Sequence, residues 1–318
     1  MAEHIVFLDR STLQAEVRRP AFEHTWEEYP TTAPAQTVER LREATIVITN
    51  KAPLRADTLA QLPKLRMIAV AATGYDVIDL PACRERGIAV ANIRNYALHT
   101  VPEHAFALIL ALRRSLLEYR QDVERGRWQE VEQFCFFDHP IRDLFGSTIG
   151  IFGEGVIGQG TAAIARAFGM RVLFADHAPP KSPKVEFTPV ERVLAESDII
   201  SLHCPLTPDS RNMFGLDQFH TMKRSAILIN TARGPVVDEA ALADALARGA
   251  LRGAGLDVYE HEPRVHPGLM ERDDVMLLPH LGSATTETRA VMAELALANC
   301  LAVLAGQPPK TPIPLPAV

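Results

Sequence analysis

The chain has 318 residues, enough for about two domains of ordinary size. It is 47% hydrophobic and 23% charged, with a formal net charge of −6 and a pI near 6.0. That is the balance of a globular enzyme, without the basic excess that nucleic acid or an anionic membrane surface would call for. No apolar run approaches the ~20 residues of a membrane-spanning helix. The N-terminus, MAEHIVFLDR, has four consecutive apolar residues and no signal-peptide core. Cys83, Cys135, Cys204 and Cys300 show no C-x-x-C spacing, so core filling in a reduced, cytoplasmic setting is expected, and no metal.

Four short apolar runs, at 5–8, 46–49, 67–71 and 88–90, alternate with helical or loop segments and predict a parallel α/β domain. After the third run, Ala71-Ala72-Thr73-Gly74-Tyr75-Asp76 forms a glycine-bearing loop at a carboxyl strand end, where ligands bind in such sheets. A plain strand-to-helix turn fits the same residues. A helical pattern opens at Thr100, with Thr100 and Glu103 at capping-box spacing and Pro102 in the first turn. Carried to about Arg125 it would span ~35 Å, suited to linking two domains or meeting a second subunit. The segment 128–145 holds Trp128, Phe134, Phe136, Phe137 and Phe145. So many aromatics predict burial against something, a second subunit included.

The stretch from Thr148 reads TIGIFGEGVIGQGTAAIARAFGMRVLFAD and has the layout strand, tight turn, helix, strand and acid. A dinucleotide-binding βαβ unit needs this order. Gly153 permits the turn, Gly155 lets the backbone approach a pyrophosphate, and Gly158 lets helix and strand pack closely. The helix start offers amides and a positive dipole end. Asp176, 18 residues after Gly158, stands where an acid would accept ribose hydroxyls and repel a 2′-phosphate, favouring NAD(H) over NADP(H). His177, Lys181 and Lys184 would pull the other way. Glu154 is the one uncomfortable position, a carboxylate where pyrophosphate should pass.

Further strand-like runs at 199–203, 226–229, 254–256 and 275–278 bring this sheet to six. From Ser283 one long helix reaches about Leu304 and stops at Gly306 and a Pro-rich tail. With the sheet complete, it should return to the first domain, giving domains 1–98 with 283–318, and 99–282. Arg233 in INTARGPVVD, Glu262 in LDVYEHEP and His280 in LLPHLGS each follow a strand. Each alone fits a structural role: a helix-end Arg, a solvated Glu, a His in a turn. Together they line one sheet edge, where a nicotinamide would also lie.

These segments, with VAATGYDVIDL, NYALHTVPEHAFALILALRR, DIISLHCPLTPDSRNMF and GAGLDVYEHEP, resemble over nearly the whole chain the D-isomer-specific 2-hydroxyacid dehydrogenase family. The likeness is greatest to its glycerate dehydrogenase (hydroxypyruvate reductase) branch, through AATGYD and QFCFFDHPIRDLFGSTIGI. The resemblance implies two Rossmann-like doubly wound parallel-sheet domains, the substrate domain flavodoxin-like and discontinuous. It implies an NAD(H)-dependent oxidoreductase interconverting a small 2-oxo acid and its 2-hydroxy acid, hydroxypyruvate or glyoxylate first. His280 would be the acid/base, Glu262 would pair with its other ring nitrogen, and Arg233 would hold the substrate carboxylate through two parallel hydrogen bonds. Ala72, Thr73 and Gly74 would meet the same carboxylate, the last two through backbone amides. Val156, Ile157, His203, Pro205, Thr231, Ala232, Arg233, His280 and Gly282 would join the glycines and Asp176 in contacting cofactor, with Asp257 near the nicotinamide carboxamide. A homodimer through the helix from Thr100 and the segment 128–145 is expected, without nucleic acid or membrane. Alternatives are an NADP(H)-preferring reductase, a different or bulkier substrate, and an NAD-sensing corepressor-like binding protein.

Overall fold

A computed structural model describes residues 3–21, 23–177 and 185–316. The chain divides into two compact units, Met1–Ala97 with Ala284–Val318, and Leu98–Ser283.

The first unit runs β1 (Glu3–Phe7), β2 (His24–Glu28), α1 (Thr37–Leu41), β3 (Ile46–Thr49), α2 (Ala56–Leu59), β4 (Met67–Val70), α3 (Leu80–Glu85) and β5 (Ala89–Ala91). All five strands are parallel, in the flavodoxin-like order β2-β1-β3-β4-β5. Alternate residues of a strand face opposite sides. Ile5, Phe7, Ile46, Ile48, Met67 and Ala69 therefore fill one face, and Val6, Leu8, Val47, Ile68, Val70 and Val90 the other. The C-terminal helix, Thr286–Leu304, covers the first face with Met292, Ala293, Ala296 and Cys300. Without it that face would be bare, which is why the chain end returns here. Thr285 caps it by accepting the Thr288 amide at 3.2 Å, and Gly306 ends it in a left-handed turn at φ 70°.

Among the described residues five strands stand where the apolar runs predict four. The extra one, β2, reads HTWEE and is largely exposed, an edge strand held by backbone pairing to β1 and invisible to a search for buried runs.

The second unit runs α4 (Thr100–Arg113), α5 (Leu116–Glu124), α6 (Arg127–Val131), β6 (Thr148–Phe152), α7 (Val156–Ala167), β7 (Arg171–Ala175), β8 (Phe187–Thr188), α8 (Val190–Glu196) and β9 (Ile199–Leu202). It continues through α9 (Leu216–Thr221), β10 (Ile227–Asn230), α10 (Glu239–Ala247), β11 (Gly253–Leu256), α11 (Pro267–Met270) and β12 (Val275–Leu277). The sheet is parallel, in the order β12-β11-β10-β9-β6-β7-β8. Winding reverses between β6 and β9, so the binding crevice of a doubly wound sheet opens at their carboxyl ends. Six strands are predicted and seven form among the described residues. The seventh, β8, is a two-residue addition to β7.

The single long helix expected from Thr100 to Arg125 is broken. It stops at Arg113, and Ser115 takes a left-handed conformation at φ 48° before α5 starts. The cause is tertiary. The Arg113 guanidinium donates to the Asp143 carbonyl at 2.6 Å and the Ser115 hydroxyl to the Pro140 carbonyl at 2.9 Å, so the segment 140–143 pins the chain at the break. His99, not Thr100, occupies the cap position. Helix α4 lies close on the sheet because Gly255 has no side chain: a Cβ there would stand 3.1 Å from Leu108.

Candidate active site

The glycine turn after β6 is built by contacts that exclude side chains. Gly153 sits at φ 111°, and a Cβ on it would lie 2.7 Å from the His203 carbonyl after β9. A Cβ on Gly158 would lie 1.9 Å from the Gly153 carbonyl, so α7 meets β6 only with glycine there. Around Gly155 a Cβ would meet nothing within 4 Å. The turn is therefore open on the side where the amides of Val156, Ile157 and Gly158 begin α7, and such amides have no partner within the helix. Two buried polar atoms on the same strand ends make no hydrogen bond, His203 Nδ1 after β9 and Thr231 Oγ1 after β10. Burial pushes the His203 imidazole down to about 4, so it is neutral, with Nε2 2.9 Å from the Ser201 hydroxyl. The Pro205 carbonyl accepts from Ser210 Oγ at 2.7 Å, and the Ala232 amide donates to Asn230 Oδ1 at 3.1 Å, fixing both loops. Open approach, helix-start amides and unmatched polar atoms fit a dinucleotide.

Asp176 is exposed directly after β7. Lys181 and Lys184 lie outside the described residues. Glu154 is 9% exposed, so the residue is packed in rather than extended into solvent, and its carbonyl accepts from Gln159 Nε2 at 2.7 Å.

His280 and Glu262, 18 positions apart, are brought together. Imidazole Nδ1 lies 2.8 and 2.9 Å from the two carboxylate oxygens, with the side chains 29% and 33% exposed. A carboxylate only accepts, so Nδ1 carries the proton of this contact and Nε2 is left for other chemistry. Glu262 also accepts the Tyr259 amide at 3.2 Å. His280 has left-handed backbone, φ 56°, held by its amide donating to the Asp257 carbonyl at 2.8 Å. The Asp257 carboxylate is taken up by the same loop: Oδ1 accepts the Leu281 amide and Oδ2 the Gly282 amide, both at 2.7 Å. A Cβ at Gly282 would come within 2.9 Å of Oδ2.

Arg233 lies in extended backbone after β10, half-buried, its Nη1 on the Ala232 carbonyl at 2.7 Å and its own carbonyl accepting from Asn230 Nδ2 at 3.0 Å. The next residue, Gly234, touches the loop that carries Glu262: a Cβ would lie 1.8 Å from the Tyr259 carbonyl. The two loops thus hold a fixed spacing.

Three supporting residues escape the sequence reading. Glu239, buried at the start of α10, accepts the amides of Glu260 at 2.6 Å and His266 at 3.2 Å, and so sets the loop around Glu262. The Tyr259 hydroxyl lies 2.8 Å from the Leu278 carbonyl and 3.1 Å from the Leu256 carbonyl, tying β11 to β12, and burial raises it to about 12. Asn230 holds the Arg233 loop through its side-chain amide, which donates to the Arg233 carbonyl and accepts from the Ala232 amide. Their one signal in the sequence is position, within or directly after the INTARGPVVD and LDVYEHEP segments.

On the first unit, the Thr73 amide is within 3.3 Å of the Tyr96 hydroxyl, the Thr73 hydroxyl donates to the Ile93 carbonyl at 3.2 Å and Asn92 Nδ2 to the Thr73 carbonyl at 2.8 Å. Ala72 and Gly74 flank it at the carboxyl end of β4. The expected donor at Thr73 thus already has a long contact of its own.

Burial raises the thiols of Cys83 and Cys300 to about 12 and that of Cys204 to about 11, which suits core filling rather than nucleophilic work. Among the described residues no helix is long and apolar enough to cross a membrane, and no group of three His, Cys, Asp or Glu side chains is placed to hold a metal.

Residues 106–282 match the model for the D-isomer specific 2-hydroxyacid dehydrogenase NAD binding domain. The chain is 48% identical over 312 residues to a glycerate dehydrogenase from Methylorubrum extorquens, covering 97% of this chain and 98% of that one. It is 40% identical over 283 residues to a glyoxylate reductase from Korarchaeum cryptofilum, covering 86% and 83%. The fold superposes with a TM-score of 0.85, at 27% identity and 98% and 97% coverage, on an NADPH-dependent glyoxylate/hydroxypyruvate reductase from Sinorhizobium meliloti solved with NADP and malonate.

Proposed function

The chain belongs to the D-isomer specific 2-hydroxyacid dehydrogenase family, and from that we propose an NAD(H)-dependent reductase of small 2-oxo acids, with hydroxypyruvate and glyoxylate as first substrates and D-glycerate and glycolate as products. The observation that carries this reading is the His280–Glu262 pair at 2.8 Å, beside an Arg233 loop locked to it through Gly234. The relatives' own names support the substrate class.

Bound NADH would supply the hydride that adds to the carbonyl carbon, and NAD would take it back in oxidation. Arg233 binds the substrate carboxylate and polarises the carbonyl, for which a planar guanidinium is suited. His280 Nε2 gives the proton to the carbonyl oxygen and recovers it in the reverse direction, while Glu262 fixes the ring and its tautomer. Gly153, Gly155, Val156, Ile157 and Gly158 seat the pyrophosphate, and His203 and Thr231 offer their unmatched atoms to the rest of the dinucleotide. Pro205, Ala232, Asp257 and Gly282 are proposed as further cofactor contacts. Within the first unit, Ala72, Thr73 and Gly74 are assigned to substrate carboxylate. Asp176 favours NAD(H), since a carboxylate repels a 2′-phosphate. The Sinorhizobium meliloti protein is NADPH-dependent, and the ratio of kcat/KM for NADH and NADPH tests the preference here.

Four free thiols suit a cytoplasmic setting. A homodimer is part of the proposal: Phe134, Phe137 and Phe145 are 90%, 82% and 82% exposed, and Leu116, Trp128 and Ile141 are also exposed. The deciding experiment mixes purified protein with NADH and hydroxypyruvate and follows loss of cofactor absorbance. No turnover of hydroxypyruvate, glyoxylate or pyruvate with either NADH or NADPH would overturn the reading.

A further inference from the structure

We propose that His104, on α4, is a positioning residue for the His280 loop, holding the buried Asp257 carboxylate that fixes the loop's backbone. This rests on the acid/base reading of His280 above. The placement is specific. His104 Nε2 stands 3.2 Å from Asp257 Oδ1, with the two side chains 17% and 2% exposed. Nε2 is buried and has no partner in hydrogen-bond geometry, so the Asp257 carboxylate is its near polar neighbour without a formed hydrogen bond. An unprotonated Nε2 would set a lone pair against a buried carboxylate oxygen, two acceptors at close range, which is unfavourable. A proton on Nε2 removes that clash and makes the contact an attractive one between an N–H dipole and the carboxylate, off the line of a formed hydrogen bond.

Asp257 needs this contact. A carboxylate almost fully removed from water is stable only with compensating donors or charge. Its other partners are the Leu281 and Gly282 amides, one on each oxygen. These amides follow His280, whose left-handed backbone is also tied to the Asp257 carbonyl. Remove the donor from His104 and the carboxylate must either turn toward water or draw one of the two amides away from its present oxygen. In both cases Leu281 or Gly282 loses its anchor and the imidazole shifts. A displacement of an ångström far from the chemistry can cost about a hundredfold in rate. The absence of a side chain at Gly282 belongs to the same arrangement, since a Cβ there would press on Oδ2 and stand 3.6 Å from the His104 ring.

The test compares three His104 variants of the full chain, the leucine one also in a His280→Ala background. His104→Leu should accelerate amide hydrogen exchange at Leu281 and Gly282 in the cofactor-free protein and lower kcat for hydroxypyruvate about tenfold or more. His104→Gln carries an amide nitrogen near the position of Nε2 and should keep both within about threefold of wild type. His104→Asn, which places its nitrogen one atom short, should behave like the leucine variant; this pair decides the matter even if His104→Leu does not fold. Added to His280→Ala, His104→Leu should cost nothing more, because a positioning residue has nothing left to position. Unchanged exchange at Leu281 and Gly282, equal behaviour of the Gln and Asn variants, or the same fold-loss with and without His280 would each overturn the proposal. If His280→Ala alone leaves the rate intact, the acid/base reading fails, and the exchange data still judge the His104 contact.

Discussion

At the scale of single residues, the site concentrates strain and burial where chemistry is proposed. A non-glycine residue in left-handed backbone costs about 1–2 kcal/mol. His280 holds that conformation through the Asp257 carbonyl, which aims its ring at Glu262. His280→Ala is expected to lower kcat by ~10²-fold or more while NADH binding, read by fluorescence titration, is retained; an equal loss of NADH affinity would mean that its role is misassigned. His203 carries a pH signature. Its imidazole titrates near 4 in the folded chain, below the ordinary 6.5. The unfolded chain therefore takes up the proton first, and the stabilisation is complete above pH ~6.5 and declines toward pH ~4. The total is on the order of 3 kcal/mol. His203→Gln should flatten that acid limb, so that the gap in unfolding free energy between wild type and variant narrows as urea titrations move from pH ~7 to ~4. A constant gap would show that the ring is not buried neutral.

At the scale of elements, close approach decides what each loop can do. Helix α7 starts where it does because Gly158 lets it touch the Gly153 carbonyl, and Gly234 sets the Arg233 loop against the Tyr259–Glu260 backbone. Strand β7 delivers Asp176 to the surface at its end, beyond the last buried residues. Asp176→Ala is expected to narrow the preference for NADH over NADPH by about tenfold, seen in the ratio of kcat/KM values; an unchanged ratio would place selection elsewhere. The glycines, the apolar strand runs and the strand-end Arg, Glu and His were legible because each has a local cause, a steric limit or a period. The edge strand β2, the two-residue β8 and the break at Ser115 were not. They come from backbone pairing and from the 140–143 segment, which no local pattern announces.

At the scale of the molecule, the second unit leaves large apolar side chains in contact with water. Phe134, Phe137 and Phe145, with Leu116, Trp128 and Ile141, are exposed within about thirty residues of one another in the chain, and their burial against a second copy is the basis of the proposed dimer. Light scattering at micromolar protein should give twice the chain mass, and joint Phe134→Glu and Phe137→Glu substitution should give a monomer; a wild-type monomer would reject the dimer.

The sequence by itself determined the family, the two parallel α/β sheets and the residues proposed for the chemistry, since β-turn-α glycine spacing and strand-end polar residues act through neighbours in the chain. Only the tertiary structure decided how those residues are held. The carboxylates of Glu239 and Asp257, the Tyr259 hydroxyl and the His104 ring act on backbone up to 178 positions away, as in His104 standing beside the Asp257 carboxylate that binds Gly282. Such groups are chosen by burial and by the need to satisfy buried polar atoms, which exist only once the chain has folded.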